Sequence, residues 1–120
     1  MIIKGRVISK KNNKRIFYMH GKIVVIPSKS FQVFKESCLW QLKGQKKYHG
    51  PLSIKIEFRM KGKMDSDIDN MCTSIFDILA DAEILENDKD IVELHAIKKE
   101  GYTDFETTIE ITEIVPKLTP

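Results

Sequence analysis

The sequence predicts an α+β domain: a small mixed or antiparallel sheet of about five strands packed with two main helices. Three observations predict it. Residues 52–60 alternate between apolar and polar side chains, the period of a strand with one dry face. Ile68, Met71, Cys72, Ile75, Ile78, Leu79 and Ala82 recur at helical spacing. Short strand-like runs flank both segments, and turn-forming residues rather than linkers separate them.

Taken in order, residues 2–8 read as a first strand and residues 9–15, SKKNNKR, as a polar basic loop. Ile16–Tyr18 and Ile23–Ile26 flank His20-Gly21 and predict a hairpin. A helix is expected over about 28–42. Ser28 is its N-cap, Phe31, Phe34, Cys38 and Leu42 form its apolar stripe, and Gly44 ends it. Phe31, Phe34 and Trp40 read as core or dimer contacts rather than base-stacking residues. In the strand over 52–60, Leu52, Ile54, Ile56, Phe58 and Met60 face inward. A loop then leads to the second helix, about Asp69 to Ala82, in which Cys72 reads as a small core residue. Strands near 91–99 and 105–115 close the chain, with His95 expected to serve packing rather than chemistry.

The 120 residues form a single expected domain, 1–120, with 42% hydrophobic and 31% charged residues. No apolar run approaches a membrane span. The N-terminus has no signal-peptide pattern, so a cytoplasmic, bacterial-type protein is expected. Cys38 and Cys72 stand far apart without CxxC spacing, which excludes a disulfide scaffold and a zinc ribbon. His20, His49 and His95 show no metal-ligand spacing.

The charges are unevenly divided. Residues 1–63 carry 16 Lys/Arg against two acids, a net of +14. Residues 64–120 carry four Lys/Arg against 15 acids, a net of −11. This pattern fits a polyanion-binding surface beside a distinct acidic feature; two solvated faces that neutralise each other would also produce it. The basic clusters are Lys10, Lys11, Lys14 and Arg15, then Lys43, Lys46 and Lys47, with Lys63 beyond the strand over 52–60.

Residues 65–90 hold nine acids, and Lys89 is the only base among them. Three readings compete. The run Asp65-Ser-Asp67-Ile-Asp69-Asn70 opens like an EF-hand loop, but its sixth position is Asn70 rather than Gly and its twelfth is Phe76 rather than Glu. A second reading is a nuclease-type magnesium site. Phosphodiester hydrolysis profits from an ion that polarises the phosphoryl oxygen and lowers the pKa of a water. Asp67 and Asp69 enter the helix together, and Asp88 returns before the next strand. The third reading is simple helix capping by Asp67 or Asp69.

AspIleAspAsn at 67–70, Asp77 within a helix, GluAsnAspLysAspIle at 86–91 and Lys98 on the following strand resemble the RusA family of Holliday junction resolvases. SerLysLysAsnAsn at 9–13 and the helix-opening run at 28–35 fit more loosely, and the resemblance spans about residues 2–115. It implies a homodimeric endonuclease, dependent on Mg²⁺ or Mn²⁺, that cuts four-way DNA junctions symmetrically in recombination and repair. Such proteins are common in prophages and need no organic cofactor and no membrane. Carried over by position, Asp67, Asp69 and Asp88 are the catalytic and metal-binding carboxylates. Asp77, Asn70, Asp90 and Asp65 are supporting candidates, and Lys98 is a candidate transition-state cation.

Two positions depart from the family pattern. Its lysine four residues after the second Asp is Thr73 here, and its usual Gln is Asp90. Another base, Lys63, Lys98 or Lys89, replaces the lysine, or the activity is weaker. The alternative is therefore a junction- or branched-DNA-binding protein with weak or lost cleavage. A protein-interaction domain with an acidic patch is a third reading, and it predicts no DNA affinity.

Overall fold

The computed structural model describes residues 1–9, 14–27, 29–62 and 66–114. Along them run β1 (Ile2–Lys4), β2 (Lys14–Met19), β3 (Lys22–Pro27), α1 (Lys29–Gln41), β4 (Leu52–Lys61), α2 (Ile68–Asp81), a 3₁₀ turn (Asp88–Asp90), β5 (Ile91–Tyr102) and β6 (Glu106–Glu113). Ser28, the expected N-cap of α1, lies outside the described residues.

The α+β class holds, with the strands divided between a mixed sheet in the order β1-β6-β4-β5 and a separate β2-β3 hairpin. β4 pairs antiparallel with β6 and parallel with β5. A parallel pair needs a crossover between its strands, and α2 supplies it. The hairpin turn has positive φ at both central residues, His20 at 53° and Gly21 at 74°. That backbone matches the twist of paired strands, and Gly21 adopts it without a Cβ penalty.

β1 is shorter than the predicted 2–8. Gly5, at φ +117°, turns the chain out of the sheet, and its amide donates to the Phe105 carbonyl at 3.1 Å. Residues 6–9 thereby leave the sheet and become free to line a different part of the molecule.

β4 lies between β6 and β5. Leu52, Ile54, Ile56, Phe58 and Met60 all pass inward, as their alternation predicts, into one core shared with Phe34, Cys38 and Leu42 around α1 and Met71, Ile75, Ile78 and Leu79 of α2. Ile75, Ile78 and Leu79 are completely buried, and each such burial contributes about 1.5–3 kcal/mol. Both helices therefore cover one face of the sheet. The opposite face stays polar. There Glu57 accepts from Arg59 Nε and Lys99 Nζ, both at 2.7 Å. These two cations hold the Glu57 carboxyl below its ordinary range, the Lys99 hydrogen bond being the larger cause.

Of the two roles expected for Trp40, core or dimer contact, the structure excludes the core. Phe31 and Phe34 are buried, but Trp40 is 68% exposed, and Lys43 Nζ lies 5.1 Å from its ring centroid. Six residues past Phe34 is 600° of helix, 240° around from it, so the apolar stripe cannot include both. His95 is likewise exposed on β5 rather than packed. Both cysteines are free and buried; burial pushes the Cys38 thiol up to about 12.

α2 ends in a Schellman motif. The Ile84 amide reaches the Leu79 carbonyl at 2.9 Å and the Glu83 amide reaches the Ala80 carbonyl at 3.0 Å. Glu83 takes the left-handed position, φ 59°, usually held by glycine. Ile84 and Leu79, both fully buried, supply the accompanying apolar contact. This reversal sends residues 84–88 back beside α2, toward the side where Thr73 and Asp77 stand. No helix among the described residues is long and apolar enough to cross a membrane.

Candidate active site

The entry to α2 is built around Asp67. It occupies the N-cap position with extended backbone, φ −75° and ψ 124°, and its carbonyl accepts the first helical bond, from the Met71 amide at 3.1 Å. Its carboxylate makes no capping hydrogen bond. Oδ2 instead accepts from Asn70 Nδ2 at 3.1 Å. The capping reading thus accounts for the backbone of Asp67 but not for its side chain. Asn70 is buried, so the neutral amide that orients Asp67 is itself held by the fold.

Asp69 follows in the first turn of α2, where the helix dipole favours an anion. Its charge adds to burial in raising the neighbouring Cys72 thiol to about 11, burial being the larger cause. Thr73 stands one turn later. Its hydroxyl donates to the Asp69 carbonyl at 3.0 Å, so it serves the helix backbone. Lys98 of β5 donates its Nζ to the Ser66 carbonyl at 2.8 Å, tying the strand to the loop that enters α2. That contact puts Lys98 beside the Asp67 loop, although 31 positions separate the two in the chain.

Asp88 opens the 3₁₀ turn, which Asn87 caps by accepting from the Lys89 amide at 2.9 Å. Asp90 ends the same turn, half-buried. Asp77 faces Lys35 of α1 at 3.6 Å, and the same lysine pairs with Asp81. The hydrogen bond that Lys35 donates to Asp81 is the main cause that raises its ammonium above the ordinary value.

Two cavities flank the polar side of α2. One, of about 320 Å³, has Asp67, Asn70, Ser66, Ser30, Ser9 and Arg6 among its walls. The other, of about 360 Å³, is lined by Thr73, Phe76, Asp77, Ala80, Glu86, Asn87 and Asp88. The structure thus sets Asp67 on one cavity and Asp88 on the other, with Asp69 on the first turn of α2, one turn before Thr73. Among the described residues no three His, Cys, Asp or Glu side chains gather closely enough to form a metal-holding cluster.

Of the expected DNA-binding cations, Lys46 covers the Tyr48 ring at 4.5 Å and Lys47 pairs with Glu86 at 3.5 Å. With Lys43 on Trp40, they make a basic, aromatic surface after α1. Lys10, Lys11, Lys63 and Asp65 lie outside the described residues, as do the side chains of Lys14 and Arg15. Sequence reasoning missed Arg6, Ser9, Ser30 and Ser66 as neighbours of Asp67. The nearest signal was Gly5, whose positive φ ends β1 and releases Arg6 from the sheet.

Comparison with known proteins gives the chain's family. Residues 4–112 match the protein family described as Endodeoxyribonuclease RusA. The crossover junction endodeoxyribonuclease RusA of Aquifex aeolicus (strain VF5) is 29% identical over 92 residues, which cover 74% of this chain and 71% of that protein.

Proposed function

The chain belongs to the RusA family of endodeoxyribonucleases, and from that premise we propose that it resolves four-way DNA junctions by paired hydrolysis of phosphodiesters. The observation that carries the reading is the Asp67 carboxylate, which stands at a helix N-cap, is oriented by Asn70, and is not spent on capping. A helix start that needed only stability would use that oxygen on a backbone amide.

Asp67, Asp69 and Asp88 are the proposed catalytic carboxylates. Their oxygen donors suit a hard divalent ion, and magnesium is commonly held by only one or two carboxylates, with water and phosphate completing its shell. Asp67 and Asp69 would hold it, and Asp88 acts from the neighbouring cavity beside α2 rather than as a donor to the same ion. When bound, Mg²⁺ or Mn²⁺ supplies Lewis acidity toward the phosphoryl oxygen and acidifies water. Asn70 keeps the Asp67 carboxylate in one orientation, and Lys98 fixes the loop that carries it. Asp77 and Asp90, beside Asp88, and Asp65 are supporting carboxylates. Hydrolysis adds a water oxygen to phosphorus and breaks the bond to the 3′ oxygen, leaving 5′-phosphate and 3′-hydroxyl ends.

Two cuts on a nearly two-fold-symmetric junction call for two sites, which a C2 homodimer provides. The basic segments Lys10–Arg15 and Lys43–Lys47, with Lys63, hold the DNA backbone, so junctions are recognised by shape more than by base edges. Asp67→Asn and Asp69→Asn, each with folding verified, test the assignment on a synthetic four-way junction with Mg²⁺ or Mn²⁺. Each is expected to lower cleavage by about a hundredfold or more, the scale of losing one preorganised electrostatic group. Near-wild-type cleavage by both variants refutes it.

Thr73 favours a second reading. Its neutral hydroxyl is engaged by the Asp69 carbonyl, which fits a protein that binds branched DNA and cuts it weakly or not at all. The same nicking assay on wild-type protein separates the two.

A further inference from the structure

A phosphodiester approaching Asp67 meets a carboxylate, and hydrolysis increases the negative charge on its oxygens. Beside the divalent ion proposed above, a side-chain cation further stabilises that charge. α2 offers none, because the segment Ile68–Asp81 contains no lysine or arginine. Lys98 donates one of its three N–H groups to the Ser66 carbonyl and is not among the walls of the cavity beside Asp67. The cavity beside Asp67 nevertheless contains one cation among its described walls, Arg6. Arg6 is exposed. It shares the cavity with Asp67, yet no ion pair joins the two. Arg6 and Asp67 thus both line one cavity of about 320 Å³ without pairing, which leaves room beside them for a group carrying negative charge and hydrogen-bond acceptors.

The local fold explains the placement. Gly5 turns the chain out of β1, and Arg6 therefore lies beside the start of α2 rather than on the sheet. Ser9 from the same segment as Arg6, Ser30 from the first turn of α1 and Ser66 next to Asp67 bring hydroxyl-bearing residues to the same cavity. The planar fork of arginine suits two phosphate oxygens at once, which a lysine ammonium matches less well.

Resting on the nuclease reading above, we infer that Arg6 binds the non-bridging oxygens of the reacting phosphodiester in this cavity and supplies the positive charge that Thr73 does not. The role is specific to this chain's arrangement: the charge comes from the segment after β1 rather than from the helix that carries Asp69.

The test compares wild type, Arg6→Gln and Arg6→Lys in two measurements, with thermal unfolding as a check on folding. The first is single-turnover cleavage of a synthetic four-way junction in Mg²⁺. The second is binding of the same junction in EDTA as NaCl is varied. Arg6→Gln is expected to cut about a hundredfold more slowly and to bind with a log–log salt slope shallower by about one. Arg6→Lys is expected to keep the slope and regain part of the rate. An unchanged rate in Arg6→Gln overturns the inference, whether or not the slope moves, because the cation then lies away from the reacting phosphate. Failure of Arg6→Lys to restore any slope or rate also overturns it, since a structural role explains that result. If wild-type protein cuts no junction, the nuclease reading fails separately. The salt slope then decides by itself whether Arg6 contacts phosphate, an unchanged slope overturning the inference.

Discussion

Asn70→Ala isolates the contact on which the site depends. The substitution removes the 3.1 Å hydrogen bond from Asn70 Nδ2 to Asp67 Oδ2 and leaves the backbone of α2 intact. A hydrogen bond to a charged group contributes about 1.5–3 kcal/mol when shielded from water. Asn70 is 8% exposed, but Asp67 is open to solvent, so the stability cost falls to about 1 kcal/mol. For a domain of this size that lowers Tm by about 3–5 °C. The effect on catalysis is larger, because the carboxylate is released from its single orientation. A displacement of about 1 Å costs on the order of a hundredfold in rate. Single-turnover junction cleavage and calorimetry on the same preparation measure both. Asn70→Asp sharpens the comparison: two carboxylates about 3 Å apart repel by at least 1 kcal/mol even in water-like surroundings. A bound divalent ion offsets that repulsion, so Asn70→Asp is expected to gain more thermal stability from added Mg²⁺ than Asn70→Ala does. If Asn70→Ala melts and cuts like wild type, the Asn70 contact does not position Asp67 and the reasoning fails.

Two further outcomes follow from the fold. Glu83→Gly places the residue without Cβ at the left-handed position that ends α2, and it should stabilise the protein by about 0.5 kcal/mol or more in urea titration; destabilisation means that the Glu83 side chain has a contact that matters more than its backbone strain. Glu57 has its carboxyl held below the ordinary 4.5 by Lys99 and Arg59, so its contribution is complete above that value and is lost as pH falls through the depressed folded value. Glu57→Gln should therefore lose stability relative to wild type at neutral pH and converge with it in acid; a difference that widens below pH 4 refutes the sign.

Much of this molecule is local in origin. The alternation from Leu52 to Met60 predicts β4 because a strand exposes every second side chain to the same face, whatever lies opposite. The spacing from Met71 to Leu79 predicts α2 in the same way. The acid cluster at Asp67 and Asp69 is legible because both residues belong to one turn. The parallel pairing of β5 with β4 was not legible, nor was the exposure of Trp40, since each depends on which distant segment arrives as a neighbour. The division of Asp67 and Asp88 between two cavities is of the same kind. It is set by the Schellman reversal at Glu83 and by the register that starts β5 opposite Leu52. Arg6 is the clearest case: composition marks it only as one base among many, and its place beside Asp67 exists because Gly5 bends the chain out of the sheet. Periodicity along the chain decides which elements form, whereas the charges that face one another across a cavity are decided by packing between segments far apart in sequence.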